Sequence, residues 1–329
     1  MKKNIAVVGC GHWGKNLVRN FFELGSLASV CDPNTGLAQK YADQYSVKNC
    51  SFAEVISDHS IQGVVLAVPA PLHASMAIES MIAGKHVYVE KPLAMNNLEA
   101  EDMIASAEKN GVQLMVGHLL QYHPIFIALR NLVESGETGD LQYIYSNRLS
   151  FGKVRSEEDV IWSFAPHDIS MILSLVGYEP EIVRTESASI LQTGIADTAI
   201  VHLEFKPDLK AHISVSWLHP DKEQKLVVVG KEAMAIFDDT KPWGEKLAVY
   251  RHVVLSSAGL PSLEKSEVEY IEVSQSEPLR NECEHFMDVV SGVIPPLTNG
   301  NEGLSVLKVL SAASESQAKD EAVRIKKYE

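Results

Sequence analysis

Ile5-Ala6-Val7-Val8-Gly9-Cys10-Gly11-His12-Trp13-Gly14 sets the frame for the whole chain. Four apolar residues form a short strand and run into a Gly-x-Gly-x-x-Gly turn. Asn16 to Leu24 follows at helical spacing, with Leu17, Val18, Phe21 and Leu24 on one face and Gly25 closing it. The next apolar run, Ala28–Cys31, ends at Asp32, 21 residues after Gly11. That order of strand, glycine turn, helix, strand and acid is the context a dinucleotide-binding turn requires. Gly9 permits the tight turn, Gly11 lets backbone amides reach a pyrophosphate at the helix N-terminus, and Gly14 lets helix and strand approach. His12 and Trp13 lie in the same turn and are counted with the glycines as cofactor-binding residues. Asp32 would accept hydrogen bonds from a ribose 2′-hydroxyl and repel a 2′-phosphate, which favours NAD over NADP. The bland alternative is a glycine-rich turn with a capping aspartate.

Working outward, strand and helix signals alternate as far as about residue 120. Gly63–Val68 is a continuous apolar run, as expected of a strand covered on both faces. Helix His73–Ala83, strand His86–Val89, helix Leu98–Lys109 and strand Leu114–Val116 follow. This rhythm predicts a doubly wound parallel sheet, an N-terminal Rossmann domain over residues 1–122. After residue 123 the period changes to two. Ala199, Val201, Leu203 and Phe205 alternate with polar residues, as do Ala211, Ile213, Val215 and Trp217. Leu226–Val229, Met234–Phe237 and Leu247–Tyr250 add strands. Helices are expected at Ile125–Glu134, Asp168–Val176, Asn281–Ser291 and Gly303–Lys319. The class is therefore α/β, with a C-terminal α+β domain over 123–329 built on a large open, mainly antiparallel sheet. Its last helix is free to pack back on the first domain.

Composition narrows the functional classes. The 329 residues are 46% hydrophobic and carry a net charge of −14, which argues against nucleic-acid and anionic-membrane surfaces. No apolar run is long enough to span a membrane. Cys10, Cys31, Cys50 and Cys283 have no CxxC spacing, and three fall in or near core strands. Reduced, buried thiols and a cytoplasmic location are expected. Metal binding is not expected: HExxH, clustered carboxylates and paired CxxC are missing from the sequence.

Two further segments sit where ligands bind such sheets. In Ala67-Val68-Pro69-Ala70-Pro71-Leu72-His73, Val68 and Pro69 are placed to pack against a nicotinamide ribose. His73 is either a helix-start residue or a cofactor contact. Glu90-Lys91-Pro92 ends the strand His86–Val89. Side chains alternate along a strand, so Glu90 and Lys91 should face opposite ways, and Pro92 holds Lys91 extended. A lysine at a strand end is ordinarily solvated; one at the ligand edge of a dinucleotide-binding sheet is a candidate catalytic group.

The glycine turn, the Val-Pro-x-x-x-His segment and Glu-Lys-Pro, in this order and spacing, resemble the Gfo/Idh/MocA oxidoreductase family over the whole chain. The resemblance implies that Lys91 lies beside the nicotinamide and binds or deprotonates a substrate hydroxyl, after a cis Lys91–Pro92 bond. It further implies that Glu90 and Lys91 count among the cofactor contacts, and that His167 in Trp162-Ser163-Phe164-Ala165-Pro166-His167-Asp168 is the second catalytic group. Ser163 stands where the family has an aspartate. Asp168 is adjacent but should point elsewhere, and Ser163 is a possible helix cap. His167 near a helix N-terminus should be held neutral by the dipole. A lysine lowered from about 10.4 by the cationic nicotinamide, or an imidazole near about 6.5, can take the proton lost by an alcohol.

Substrate clues are of the same kind. His118 and Tyr122, in the segment joining the two domains, are either pocket residues or linker packing. Arg148, Lys153 and Arg155 are either a diphosphate clamp or a solvated loop, since Glu157, Glu158 and Asp159 follow. Ser163 and His167 complete the substrate set. The segments His118–His123, Tyr143–Arg148 and Trp162–Ser170 resemble a branch of UDP-N-acetylglucosamine and UDP-N-acetylglucosaminuronate 3-dehydrogenases that serve lipid A and surface-polysaccharide biosynthesis. That implies NAD-dependent oxidation at C3 of a UDP-N-acetylhexosamine. A free-sugar or inositol dehydrogenase, and a non-catalytic NAD-binding sensor, are the alternatives. The expected partners are a small-molecule sugar or sugar nucleotide and a second copy of the chain, as a homodimer or homotetramer through the open sheet.

Overall fold

The computed structural model describes residues 3–152, 154–257 and 260–325, with backbone alone at 253–257 and 260–263. In chain order the first strands are β1 (Ile5–Val8), β2 (Leu27–Cys31), β3 (Lys48–Asn49), β4 (Gly63–Leu66), β5 (His86–Glu90) and β6 (Leu114–Gly117). Between them run α1 (Gly14–Glu23), α2 (Thr35–Tyr45), α3 (Phe52–Ser57), α4 (His73–Ile82) and α5 (Asn97–Asn110). Next come α6 (Pro124–Glu134), β7 (Leu141–Phe151), α7 (Val160–Val176), β8 (Ile182–Ala188), β9 (Thr198–Glu204), β10 (Lys210–Ser216), β11 (Leu218–Gly230), β12 (Met234–Asp238) and β13 (Leu247–Tyr250). The chain ends with β14 (Val253–Ser257), β15 (Leu260–Glu264), β16 (Val268–Tyr270), α8 (Pro278–Val290), α9 (Gly300–Lys319) and β17 (Val323–Arg324).

The chain divides into two compact units. The first comprises residues 1–122 and 276–307, the second 123–275 and 308–329. The return of 276–307 to the first unit departs from the sequence expectation, which gave it to the C-terminal domain. Its reason is apolar burial: Leu279, Cys283, Phe286 and Val290 line one face of α8 and join the core of Ile5, Phe21 and Tyr88. Phe286 meets Phe21 and Tyr88 edge-on, at 6.2 and 5.8 Å between ring centres.

The first unit is a six-stranded parallel sheet in the order β3-β2-β1-β4-β5-β6. The order reverses at β1, where open α/β sheets take their ligands. Val8, Leu66 and Val89 are in register across β1, β4 and β5, so Gly9 and Ala67 leave the sheet, and Glu90 ends β5, at one edge.

The second unit holds a nine-stranded sheet in the order β16-β13-β12-β11-β7-β10-β9-β8-β17. All its pairings are antiparallel except β7 with β10. The sheet's centre, β7, escaped the period-two reading: Tyr143, Tyr145, Asn147 and Arg148 mask its buried Ile144 and Ser146. Helix α7 begins at Val160, eight residues before the expected start at Asp168. Asp159 caps it by accepting hydrogen bonds from the amides of Ile161 and Trp162, at 3.0 and 3.1 Å. Pro166 reads as a stop but lies inside the helix, whose buried face continues past it. Burial there outweighs a proline penalty of about 3 kcal/mol.

Candidate functional site

The glycine turn is built by close approach. Gly9 has φ +92°, and a Cβ there would lie 2.4 Å from the Ala67 carbonyl oxygen. A Cβ on Gly14 would stand 1.9 Å from the Gly9 carbonyl oxygen, so helix and turn are sealed together. Gly11, by contrast, opens onto free space and lines a cavity of about 780 Å³ with Asp32, Asn49, Val68 and Pro69. The cavity's position at the N-terminus of α1, and the bare Gly11 edge, fit a dinucleotide. Asp32 has a role that spacing did not reveal: its carboxylate accepts from the Cys10 amide at 2.7 Å and from the Asn34 amide at 2.8 Å, fixing the turn. No lysine or arginine is among the described residues lining this cavity.

The second wall of the edge is braced from behind. The Lys91–Pro92 peptide is cis. His73 is 1% exposed, with Nδ1 2.8 Å from the Pro92 carbonyl and Nε2 2.9 Å from the Val68 carbonyl. Burial lowers the His73 pKa, against the pull of both carbonyls. Both ring nitrogens are therefore engaged by backbone, and of the two roles foreseen for His73 the structural one describes its surroundings. Glu90 accepts from the Trp13 indole N–H at 2.5 Å, from the Tyr88 hydroxyl at 3.0 Å and from the Lys91 amide at 3.3 Å. Burial nonetheless raises its pKa. Lys91 is half-buried and His12 exposed. Trp13 is 39% exposed and spans from the glycine turn to the lysine turn. Nothing in the motif spacing foretold that link.

Two residues assigned to substrate turn inward in the first unit. His118 is buried, with Nδ1 2.5 Å from a Glu302 carboxylate oxygen. The Tyr122 hydroxyl donates to Thr298 Oγ1 at 3.0 Å, and Thr298 donates to the Val116 carbonyl at 2.7 Å. The packing alternative raised for both residues is the one their contacts describe.

In the second unit the histidine motif differs from expectation in two ways. His167 is the eighth residue of α7, two turns beyond its start and outside the first turn in which a helix dipole acts. Ser163 is buried within the helix and does not cap it; Asp159 does. His167 itself is half-buried. Asp168 does point elsewhere: it is 1% exposed and pairs with Arg148, Nε to Oδ2 at 2.5 Å and Nη2 to Oδ1 at 3.2 Å, with the Ser146 hydroxyl also donating to it. Arg155 is paired with Glu158 at 3.2 Å. Two of the three supposed diphosphate cations thus have carboxylate partners, and the third, Lys153, lies outside the described residues.

Cys10, Cys31 and Cys283 are buried and Cys50 is half-buried; all four are free thiols. Burial pushes Cys10 up to about 12 and Cys31 up to about 11, with the nearby Asp32 charge adding to both. Among the described residues no helix is long and apolar enough to cross a membrane, and no cluster of three metal-ligating side chains occurs.

Fold and turn together define a two-unit oxidoreductase with an NAD-binding Rossmann domain. The oxidoreductase family described as GFO/IDH/MocA, NAD-binding Rossmann fold, matches residues 3–118, and its C-terminal domain matches residues 126–236. The chain belongs to the Gfo/Idh/MocA family. It is 25% identical over 302 residues to UDP-N-acetylglucosamine 3-dehydrogenase of Acidithiobacillus ferrooxidans, covering 92% of this chain and 93% of that one. A solved structure of that enzyme superposes with a TM-score of 0.84, at 24% identity, over 96% of this chain and 98% of that one. Inositol 2-dehydrogenase of Salmonella typhimurium is 25% identical over 215 residues, 62% of this chain and 64% of that one. The structure of GenD2 from gentamicin A biosynthesis, in complex with NAD, matches with a TM-score of 0.81 at 22% identity, over 99% of this chain and 97% of that one.

Proposed function

We propose that the chain is an NAD-dependent dehydrogenase that oxidises a secondary hydroxyl of a sugar, at C3 of a UDP-N-acetylhexosamine. The observation that carries this is the shared sheet edge of the first unit. There the dinucleotide cavity and the Lys91 turn leave neighbouring strands, and His73 ties one to the other. The glycine turn and Asp32 hold the dinucleotide, and the bound nicotinamide supplies the hydride acceptor. Lys91 takes the hydroxyl proton, so that one C–H and one O–H bond are given up for a carbonyl. His167 is assigned as a second proton-transfer group. Asp32, with no cation beside it among the described residues lining the cavity, favours NAD over NADP. The likeness to the 3-dehydrogenase over nearly the whole chain supports the sugar-nucleotide assignment.

A second reading, a free-sugar or inositol dehydrogenase, draws on a specific observation: Arg148 and Arg155 are each matched by a carboxylate, which weakens the case for a diphosphate clamp. Purified protein followed at the reduced-nicotinamide absorbance separates the two. UDP-N-acetylglucosamine with NAD is expected to turn over, and Lys91→Met to abolish it. Turnover of a free polyol with none of any UDP-sugar overturns the substrate assignment; tight NAD binding with no turnover on any sugar overturns the enzyme.

A further inference from the structure

Glu282 has no part in the chemistry assigned so far. It lies on α8 among Leu279, Cys283, Phe286 and Val290, on a face that is otherwise apolar, and it is fully buried. Among the described residues neither of its carboxyl oxygens meets a hydrogen-bond partner, since the Tyr88 hydroxyl, which also bears on it, gives its one proton to Glu90. The groups that bear on it are Tyr88 and Glu90 from β5, Tyr122 from the turn before α6, Glu302 from the first turn of α9, and Cys283 on its own helix; none is a cation. Glu90, which also faces Lys91, has the three donors that Glu282 lacks. Glu90 is tightly held on its own strand edge. A Cβ on Gly117 would fall 2.8 Å from the Tyr88 hydroxyl and 2.9 Å from Glu90 Oε2. Two buried carboxylates that repel each other are not both kept ionised, and the proton settles on the one without donors. Burial pushes both acids up, Glu282 furthest.

We propose that Glu282 carries a proton and is a positioning residue for Lys91: its neutrality leaves Glu90 as the lone carboxylate behind the lysine turn. This rests on Lys91 being the proton acceptor. When Lys91 Nζ takes the hydroxyl proton, the fixed Glu90 charge stabilises the ammonium formed, while the Glu282 proton stays in place.

Infrared difference spectroscopy of the full chain tests the protonation without any substrate. At neutral pH the wild type should show a carboxylic-acid carbonyl band that Glu282→Gln removes. A wild-type spectrum without that band, or a band that survives Glu282→Gln, overturns the proposal even if the enzyme turns over as described. The positioning role is read from activity. Glu282→Gln and Glu282→Leu, both neutral, are expected to leave the pH midpoint of kcat/KM where the wild type has it, whatever the Leu variant loses in packing. Glu90→Gln should move the pH midpoint of kcat/KM by about one unit. A midpoint moved by about a unit or more in both variants shows that a charge was needed at residue 282 and sinks the idea. Should no sugar turn over, the infrared band still decides the protonation, and the fault lies with the functional reading.

Discussion

The turn at residues 9–14 and the helix at residues 160–176 both carry motif residues, but they are built on different physics. The turn is specified by contacts that exclude side chains: Gly9 and Gly14 leave no space for a Cβ. Its geometry follows from composition and position. The helix is specified by burial and by charges reached across the fold, from Asp168 to Arg148 and Ser146 on β7. The first kind of constraint is local in sequence and the second is not. A cofactor platform can therefore be read from a short motif, whereas residues facing a variable substrate depend on partners that no spacing announces.

The largest expected effect bears on the lysine turn, which Trp13 and Glu90 link to the first region. Lys91→Met should lower kcat/KM by about a thousandfold or more while leaving NAD affinity within about twofold, by steady-state rates and titration calorimetry. A loss carried mainly by NAD affinity would make Lys91 part of the platform and erase the contrast. In the second region, Asp168→Asn removes one partner of a buried ion pair. It should destabilise the fold by about 3–5 kcal/mol in denaturant unfolding. His167→Asn should leave stability nearly unchanged and reduce kcat about a hundredfold. Equal stability losses in the two variants would mean that His167 is merely packing.

A smaller effect comes from Asp239 in the second unit. Burial pushes its carboxyl up, but hydrogen bonds from His123 and Lys246 and their charges outweigh this, bringing it down to about 2 from 3.8. A depressed carboxyl contributes stability above its ordinary range and loses it as pH falls toward about 2. Asp239→Asn should therefore cost about 2 kcal/mol at neutral pH, with the gap to wild type closing in acid. A gap that is constant with pH would locate the effect in packing. The smallest change is expected for Asp32→Ser, which should narrow the preference for NAD over NADP about tenfold in Kd. Because Asp32 also holds the Cys10 amide, affinity for both should fall. An unchanged ratio would show that Asp32 serves the turn alone.

Much of the fold was legible. The parallel sheet declared itself in apolar runs such as Gly63–Leu66, which are buried on both faces. The second sheet showed in the alternation of β9 and β10. The central β7 did not show, because its polar residues pair with groups distant in sequence: Arg148 with Asp168, Tyr143 with His212. Pro166 disguised the start of α7, and Asp159 was passed over as one acid in a charged run. His118 and Tyr122 fell in a segment that read equally as pocket or as linker packing because it joins two domains, and both are sealed by the segment returning at 276–307. Glu282 did leave a trace, an acid at an apolar position of an amphipathic helix. Such a trace has meaning only once its buried neighbours are known.

The central claim is that hydride leaves one sugar carbon for the dinucleotide while Lys91 takes the hydroxyl proton. It is tested most directly with UDP-N-acetylglucosamine deuterated at C3, in a single turnover with NAD followed by mass analysis of the nicotinamide. The account predicts deuterium on the reduced cofactor with the wild type and none with Lys91→Met. Reduced cofactor without the label, or equal labelling by the two proteins, would contradict it.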